Sequence, residues 1–585
     1  MKKTYAALIA VVVVAAAGSV VVYANWFAAE QIVGLAIDYV EVWNAPAGTL
    51  QVEQAQGGAP VTLTNSAPDT LGGAWPGYNR TLTSARFSPL AAINTTNIGQ
   101  LKILCSYDTG DHTAFEAGLI MVNGALIGTT ANDIFALDPN TCAQRWRTHE
   151  SYTQASVFAV NRGAASLDGR LFRGTEDGRV LAYDAATGTR LWQTSVADPS
   201  RGETTPAAPI AWNGMVFIGN AGGDVKGVRG RMYALDAKTG KIIWEFFLVA
   251  KAPGDITRGP QGAGPVIAAS WGNGPTVPIS GGASWTSYTL DPATGLLYVP
   301  GGNPAPDFAN GVRPGENLYA GAVVVLDAKT GAYAKHFEIV PHDWHDWDIS
   351  SAPAIVQTRG GHTLLAEAPK DGHLYGFDLT TGTQLYRMPV TRVQNTSETF
   401  TPGNPVHFCP GAIGGAEWNG AAYDPDTNLM LTGEVDWCST VTLQTDAAIT
   451  ATPAGAIWTG NASRNPFHVY GTQDRRDGWA GWVYATDADT GAWKWRAKSN
   501  YPVLSGITPT AGGLVFFGDM GGNFYALDAS TGARLWGAKI GGAIGGGVIA
   551  YNAGSGQRIA VAAGFTAIVW PTEITTGKVF VLGVP

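Results

Sequence analysis

Charge is scarce in this chain. Lys, Arg, Asp and Glu make up 14% of 585 residues, well under the usual quarter or so, and they leave a net charge of −9. No basic patch stands out, which argues against a nucleic-acid partner. The mild acidity would serve solubility or steer a basic protein equally well. Cysteine is scarcer still: four residues, none in a Cys-x-x-Cys or Cys-x-x-Cys-His spacing. Neither covalent haem nor a cysteine-based zinc site is therefore encoded. Long amphipathic helical patterning is missing, and so is any internal linker rich in Ser, Pro or charge. These absences leave one large, weakly charged, turn-dense body.

What is abundant is glycine, 76 residues, and repetition. A phrase of the type ALDAxTGxxxW occurs seven times, opening on Asp138, Asp184, Asp236, Asp327, Asp378, Asp487 and Asp528. A large ring closes most copies eight positions on, at Trp146, Trp192, Trp244, Tyr386, Trp495 and Trp536. The Asp-x-x-Thr-Gly piece reads as a tight turn, its side-chain oxygens accepting from backbone N–H groups and its Gly supplying positive φ. An apolar strand precedes each turn and a returning strand follows. Upstream lies a further pair, as in APIAWNGMVFIGN, where Asn213-Gly214 signals a hairpin. Four strands per unit, repeated at about 35–65 residues once weaker turns at Asp291 and Asp424 are included, predict an all-β propeller. A degenerate unit closing the ring gives eight blades, spanning residues 71–585.

The chain opens MKKTYAALIAVVVVAAAGSVVVYA. A basic start, an apolar run and a small-residue site at Val22-Tyr23-Ala24 predict a signal peptide over residues 1–24; uncut, the same run is long enough to serve as a membrane anchor. Either way the body is exported, and removing Lys2 and Lys3 takes the charge from −9 to −11. Residues 25–70 form an extension of unassigned role, with a possible helix over Phe27–Val42. An oxidising compartment suits disulfides. Chain proximity suggests Cys105 with Cys142 and Cys409 with Cys438, each spanning one blade; four buried free thiols are the alternative.

Propeller strands converge on an axis, so chemistry is expected from segments that bring polar groups there. PHDWHDWDISSAP places Asp343, Asp346 and Asp348 with His342 and His345 among Trp rings. Carboxylates against aromatic walls suit a hard cation or a general base; a solvated acidic loop is the plainer reading. GGNPAPDF offers Asn303 as an oxygen ligand, or merely a turn starter. GNAGGDVKGVRG carries Asp224, and with no helix following it cannot be a phosphate loop. Taken alone, Arg162 in VNRGAAS reads as a buried-pair Arg or an anion clamp, Trp285 in SGGASWTSY as core or a flat stacking platform, and Lys370 in EAPKDGHLYGFD more often as a surface charge than as a ligand.

Together these segments resemble the pyrroloquinoline-quinone (PQQ) dependent alcohol dehydrogenases, from WPGYNRTLTSARFSPLAAINTTNIGQLK (Trp75–Lys102) to the end. The resemblance implies Asp346 as catalytic base. It implies Asp224, Asn303, Asp346 and Asp348 around Ca²⁺ or a lanthanide ion, oxygen donors rather than zinc ligands. It also implies Trp285 as the floor under the quinone, with Glu116, Arg162, Lys370 and Glu417 among its polar neighbours. Departures are visible. Asp224 stands where a Glu is usual, Lys226 is an extra residue in that loop, His345 replaces a Trp, and Glu417 replaces a frequent Asn. Ser156-Val157 stand where the family has a vicinal cysteine pair. The function implied is oxidation of a small-molecule alcohol, with electrons leaving to a soluble cytochrome c. A non-catalytic envelope scaffold, or a quinoprotein for sugars or polymeric alcohols, are the competing readings. Substrate choice would rest on loops such as Val393–His407.

Overall fold

The computed structural model describes residues 46–56, 61, 70–152, 158–264, 267–463, 468–567 and 569–585. The candidate signal segment, the possible helix at Phe27–Val42 and Ser156-Val157 lie outside these. Among the described residues there are eight antiparallel sheets of four or more strands, two smaller sheets, and a single α-helix, Asp446–Ala451. The second sheet is typical. Strands Ala165–Leu167, Arg170–Gly174, Arg179–Asp184 and Arg190–Ser195 follow one another as a meander.

The repeated phrase is the turn between the third and fourth strands. In the second sheet, Asp184 Oδ1 accepts from Ala186 N, Thr187 N and Thr187 Oγ1, and Gly188 takes φ +71°. The same pattern recurs at Asp236 and Asp487. The turn Gly then explains the ring. A Cβ on Gly188, Gly240, Gly331, Gly491 or Gly532 would lie 2.4–2.6 Å from Trp146, Trp192, Trp244, Tyr386 or Trp495 of the preceding sheet. The ring lies flat on that glycine. Trp192, Trp244 and Trp495 also donate from Nε1 to the carbonyls of Ala237, Ala328 and Ala529 in the neighbouring turn. One unit tests the rule. Lys335 holds the ring position after Asp327, and the next turn glycine, Gly382, has open space where its Cβ would be.

Two expectations are corrected here. The weaker turns at Asp291 and Asp424 belong to the first hairpins of the fourth and sixth sheets, Thr289–Asp291 with Leu296–Pro300 and Ala422–Asp424 with Leu429–Asp436. Both disulfides form, but Cys105–Cys142 does not stay within one sheet. Cys105 lies on Lys102–Asp108, the outer strand of the last sheet, and Cys142 lies in the turn of the first.

That last sheet explains the missing eighth phrase. Its three inner strands, Val548–Asn552, Gln557–Ala563 and Lys578–Gly583, come from the C-terminal end, and its fourth is Lys102–Asp108. A strand borrowed from the other end of the chain needs no turn. Apolar cores then link each sheet to its neighbours: Ile127 with Leu181, Leu235 with Leu326, Tyr386 with Met430, Phe516 with Val561. Phe135 with Ile549 and Tyr551 joins the last sheet to the first, and Gly547 N donates to Ala117 O across the same seam. This is an all-β propeller closed by packing and a disulfide. Burying these strands at about 25 cal/mol per Å² of apolar surface is the main stabilising contribution. Strand Leu50–Gln54, from the 25–70 extension, pairs with Trp493–Ser499 at the outer edge of the sixth sheet.

Topology also separates two faces. In a four-stranded meander the lead-in to the first strand and the link between second and third strands share one end. The Asp-Thr-Gly turns occupy the other.

Candidate active site: a carboxylate-rich cavity at the hub

The nine side chains given cofactor, metal or catalytic roles by the family resemblance all line one cavity of about 450 Å³, whereas His342, Asp343 and His345 do not. Each of the nine sits on the end opposite the repeated turns. Glu116 and Arg162 lie in lead-ins to the first and second sheets, and Trp285 in the lead-in to the fourth. Asp346 and Asp348 lie in the lead-in to the fifth, and Glu417 beside the first strand of the sixth. Asp224, Asn303 and Lys370 lie in links between second and third strands of the third, fourth and fifth sheets.

The acidic side of the cavity is built around Asp346, which is 1% exposed. Its backbone sits at φ +66°, a region where Asp is tolerated better than most residues. The loop is held there by Asp343, whose carboxylate accepts from His345 N and Trp347 N, 3.0 Å each. Asp343 is thus a structural group. His345 stacks on Trp347 with centroids 4.0 Å apart and packs edge-on to Phe408, so it fills an aromatic slot. Asp346 Oδ2 has no hydrogen-bond partner and lies 3.7 Å from Lys370 Nζ.

Asp348 behaves differently. Its Oδ2 meets Lys370 Nζ at 2.7 Å and its Oδ1 accepts from Asn303 N at 2.9 Å. Asp224 Oδ2 accepts from Tyr470 Oη at 2.7 Å, so the shorter side chain still reaches the cavity. Lys226 points elsewhere, donating to the carbonyls of Thr450 and Thr452. The residues grouped by carboxylate position are Asp224, Asp346 and Asp307, with one oxygen from each lying within 4.8 Å of the others. Asp307 was missed by the sequence reading, although it lies in the same GGNPAPDF segment as Asn303. Tyr470 was missed too, 246 residues from its partner.

Burial dominates the electrostatics. It pushes Asp224 up to about 6, aided by the Asp348 charge and opposed by the Tyr470 hydrogen bond. It pushes Asp346 and Asp307 well above the carboxylate range, the neighbouring carboxylates adding to the effect; Lys370 opposes it at Asp346 and Arg313 at Asp307. Burial works against the Lys370 ammonium, but Asp346, Asp348 and Glu417 outweigh it and hold its pKa well above normal. Burial also lifts Glu417 to about 7, with Lys370 opposing. Three buried carboxylates crowded together are the signature of a site that expects a cation.

The other side is aromatic and cationic. The Arg162 guanidinium lies 4.8 Å from the Trp285 ring centroid and 4.2 Å from that of Trp418, contacts of cation–π type. Its Nη1 meets Glu116 Oε2 at 3.0 Å. Lys370 Nζ is 5.6 Å from the Trp285 centroid. A flat ring with Arg and Lys beside it suits a planar, acid-bearing cofactor, and the carboxylates suit an oxygen-liganded ion.

A family model described as the glucose/ethanol/alcohol dehydrogenase β-propeller domain matches residues 75–406, more than half of the chain. A lanthanide-dependent methanol dehydrogenase from Methylacidiphilum fumariolicum is 30% identical over 516 residues, covering 82% of each chain. The chain belongs to the PQQ-dependent alcohol dehydrogenase family. Its chemistry is that of an oxidoreductase acting on CH–OH donors. The dehydrogenase subunit of a quinone alcohol dehydrogenase from Gluconobacter oxydans is 30% identical, covering 88% of this chain and 73% of that one. Among solved structures, a europium-containing methanol dehydrogenase superposes with a TM-score of 0.76 at 25% identity, covering 87% of this chain and 98% of that one. Residues 480–579 also match the model of the outer membrane protein assembly factor BamB; that stretch holds two of the repeated turns and none of the nine cavity residues.

Proposed function

We propose that the chain is a periplasmic, eight-bladed PQQ-dependent alcohol dehydrogenase that oxidises a small alcohol and passes electrons to a soluble cytochrome c. The observation that carries this reading is the convergence of nine side chains, from six sheets, on one cavity. A non-catalytic scaffold gains nothing from burying Asp224, Asp346, Arg162 and Trp285 together.

The roles follow from position. Asp224, Asn303 and Asp346 would hold a Ca²⁺ or lanthanide ion; Trp285, Arg162, Glu116, Lys370 and Glu417 would hold the quinone. When bound, the pair supplies a two-electron acceptor and a Lewis acid that polarises it. Asp346 accepts the alcohol's hydroxyl proton; its free Oδ2 is the available atom. Lys370 and the cation would return Asp346 to its basic form. Asp348 neutralises and positions Lys370 and, through Asn303 N, fixes the Asn303 backbone. Phe158, Ile413, Ile457 and Val569 also line the cavity. That apolar wall favours an alcohol with an aliphatic or aromatic tail over a sugar, which would leave its hydroxyls without partners.

Reconstitution tests the proposal. The purified chain is given PQQ with Ca²⁺ or with a light lanthanide, and alcohol-dependent dye reduction is followed. Turnover in at least one arm is expected. A folded chain silent in both, with no quinone retained on desalting, contradicts it.

A further inference from the structure

Asp307 has no role among the assignments above, yet it is among the most isolated charges in the molecule. It is 0% exposed, and neither carboxylate oxygen makes a well-formed hydrogen bond, the Asn303 amide being a nearby donor. The nearest guanidinium, that of Arg313, is spent on other acceptors: the carbonyls of Pro306, Asp307 and Asp343, and Asn317 Oδ1. Arg313 thus pins the Asp307 backbone and leaves its carboxylate free. The Asn303 side chain lies beside it, and Asn303 Nδ2 likewise has no well-formed hydrogen bond.

A buried carboxylate without partners is costly unless something else is meant to meet it. The geometry says what. One oxygen each from Asp224, Asp307 and Asp346 lie within 4.8 Å of one another. Oxygen ligands at about 2.3–2.6 Å from a shared hard cation cannot be more than about 5 Å apart. Asp348 is not in this group, because its two oxygens are taken by Lys370 Nζ and Asn303 N.

We propose that Asp307 is a third carboxylate ligand of the hub cation, and that its charge makes the site bind a trivalent ion more tightly than a divalent one of similar size. The inference deepens the dehydrogenase reading and rests on it for the cation's purpose. The preference follows from charge count. Lys370 is already neutralised by Asp348, so three anionic ligands face the ion, with Arg313 offsetting part of their charge from behind. Coulomb attraction to that set rises with ion charge, and ligand charge tunes affinity at such sites.

The test uses the full chain, purified without quinone, and metal alone. Tb³⁺ luminescence sensitised by Tyr470 and Trp285 reports binding, and Ca²⁺ displacement gives the ratio of affinities. Wild type is expected to bind Tb³⁺ at least tenfold more tightly than Ca²⁺. Asp307→Asn is expected to lose at least tenfold in Tb³⁺ affinity, and less for Ca²⁺, so the ratio narrows. The metal-free variant is also expected to melt at a higher temperature than metal-free wild type, because the amide relieves the crowding of three buried carboxyl groups that no cation completes. A merely structural Asp307 would do the reverse. Unchanged Tb³⁺ affinity, an unchanged ratio, a lower melting temperature or failure to fold in Asp307→Asn each overturns the assignment. Because no quinone or alcohol is present, loss of the dehydrogenase reading would show in the reconstitution assay and leave this result standing.

Discussion

The two faces of the wheel solve opposite problems with the same residue type. On the face of the repeated turns, aspartates such as Asp184 and Asp236 are satisfied within three residues by their own backbone, and the Trp rings lie on the next turn's glycine. On the hub face, Asp307 and Asp346 are buried and short of partners. The first arrangement lowers free energy by itself. The second costs stability and makes sense only if something completes it. The difference separates the residues that make the fold from those that use it.

Five substitutions would break or sharpen that contrast. The largest effect belongs to Asp346→Asn. It should lower alcohol turnover by about 10²–10⁴-fold while quinone retention stays near wild type and the melting temperature does not fall; rate and bound-quinone absorbance are the measurements. The mirror image is Trp244→Ala on the turn face. Trp244 is 2% exposed and bonded to Ala328 O, so its loss should cost about 3–5 kcal/mol in denaturant unfolding. Turnover per folded molecule should be unaffected. A turnover loss as large as that of Asp346→Asn would show that the faces are not separable.

Behind the hub, Glu367 is buried, accepts from Ser351 Oγ, and has Oε2 unpartnered. Burial lifts its carboxyl to about 8. A carboxyl with a raised pKa lends its stability below its ordinary value and loses it as pH climbs through the raised one. Glu367→Gln should therefore match wild type near pH 4.5 and exceed it by about 4–5 kcal/mol at pH 8.5. A constant difference across that range would contradict the mechanism. The smallest effect is a pair. Gly331→Ala meets both positive φ and the Trp244 ring, whereas Gly382→Ala meets positive φ alone. The second should cost about 1 kcal/mol and the first about 1–3 kcal/mol more. Equal costs would remove the ring-on-glycine contact as a determinant.

The turn face was nearly all legible in the sequence, because Asp, Thr and Gly act on each other within four positions. The Trp rings were readable as part of the repeat, but their contacts with the next turn's glycine, distant in sequence, were not. The cavity residues were legible one by one, since each sits in a short motif that resembles the family's. What escaped has a common physical cause. Asp307, Tyr470 and the Cys105–Cys142 seam depend on segments brought together by ring closure. Asp291 and Asp424 misled for the opposite reason: the same turn chemistry serves a different hairpin.

The most direct test of the account is crystallographic. Crystals grown with PQQ and a europium salt should show an anomalous peak within about 2.6 Å of carboxylate oxygens from Asp224, Asp307 and Asp346, with the quinone lying over Trp285. A peak elsewhere, or a hub holding neither ion nor quinone in an otherwise intact propeller, would contradict it.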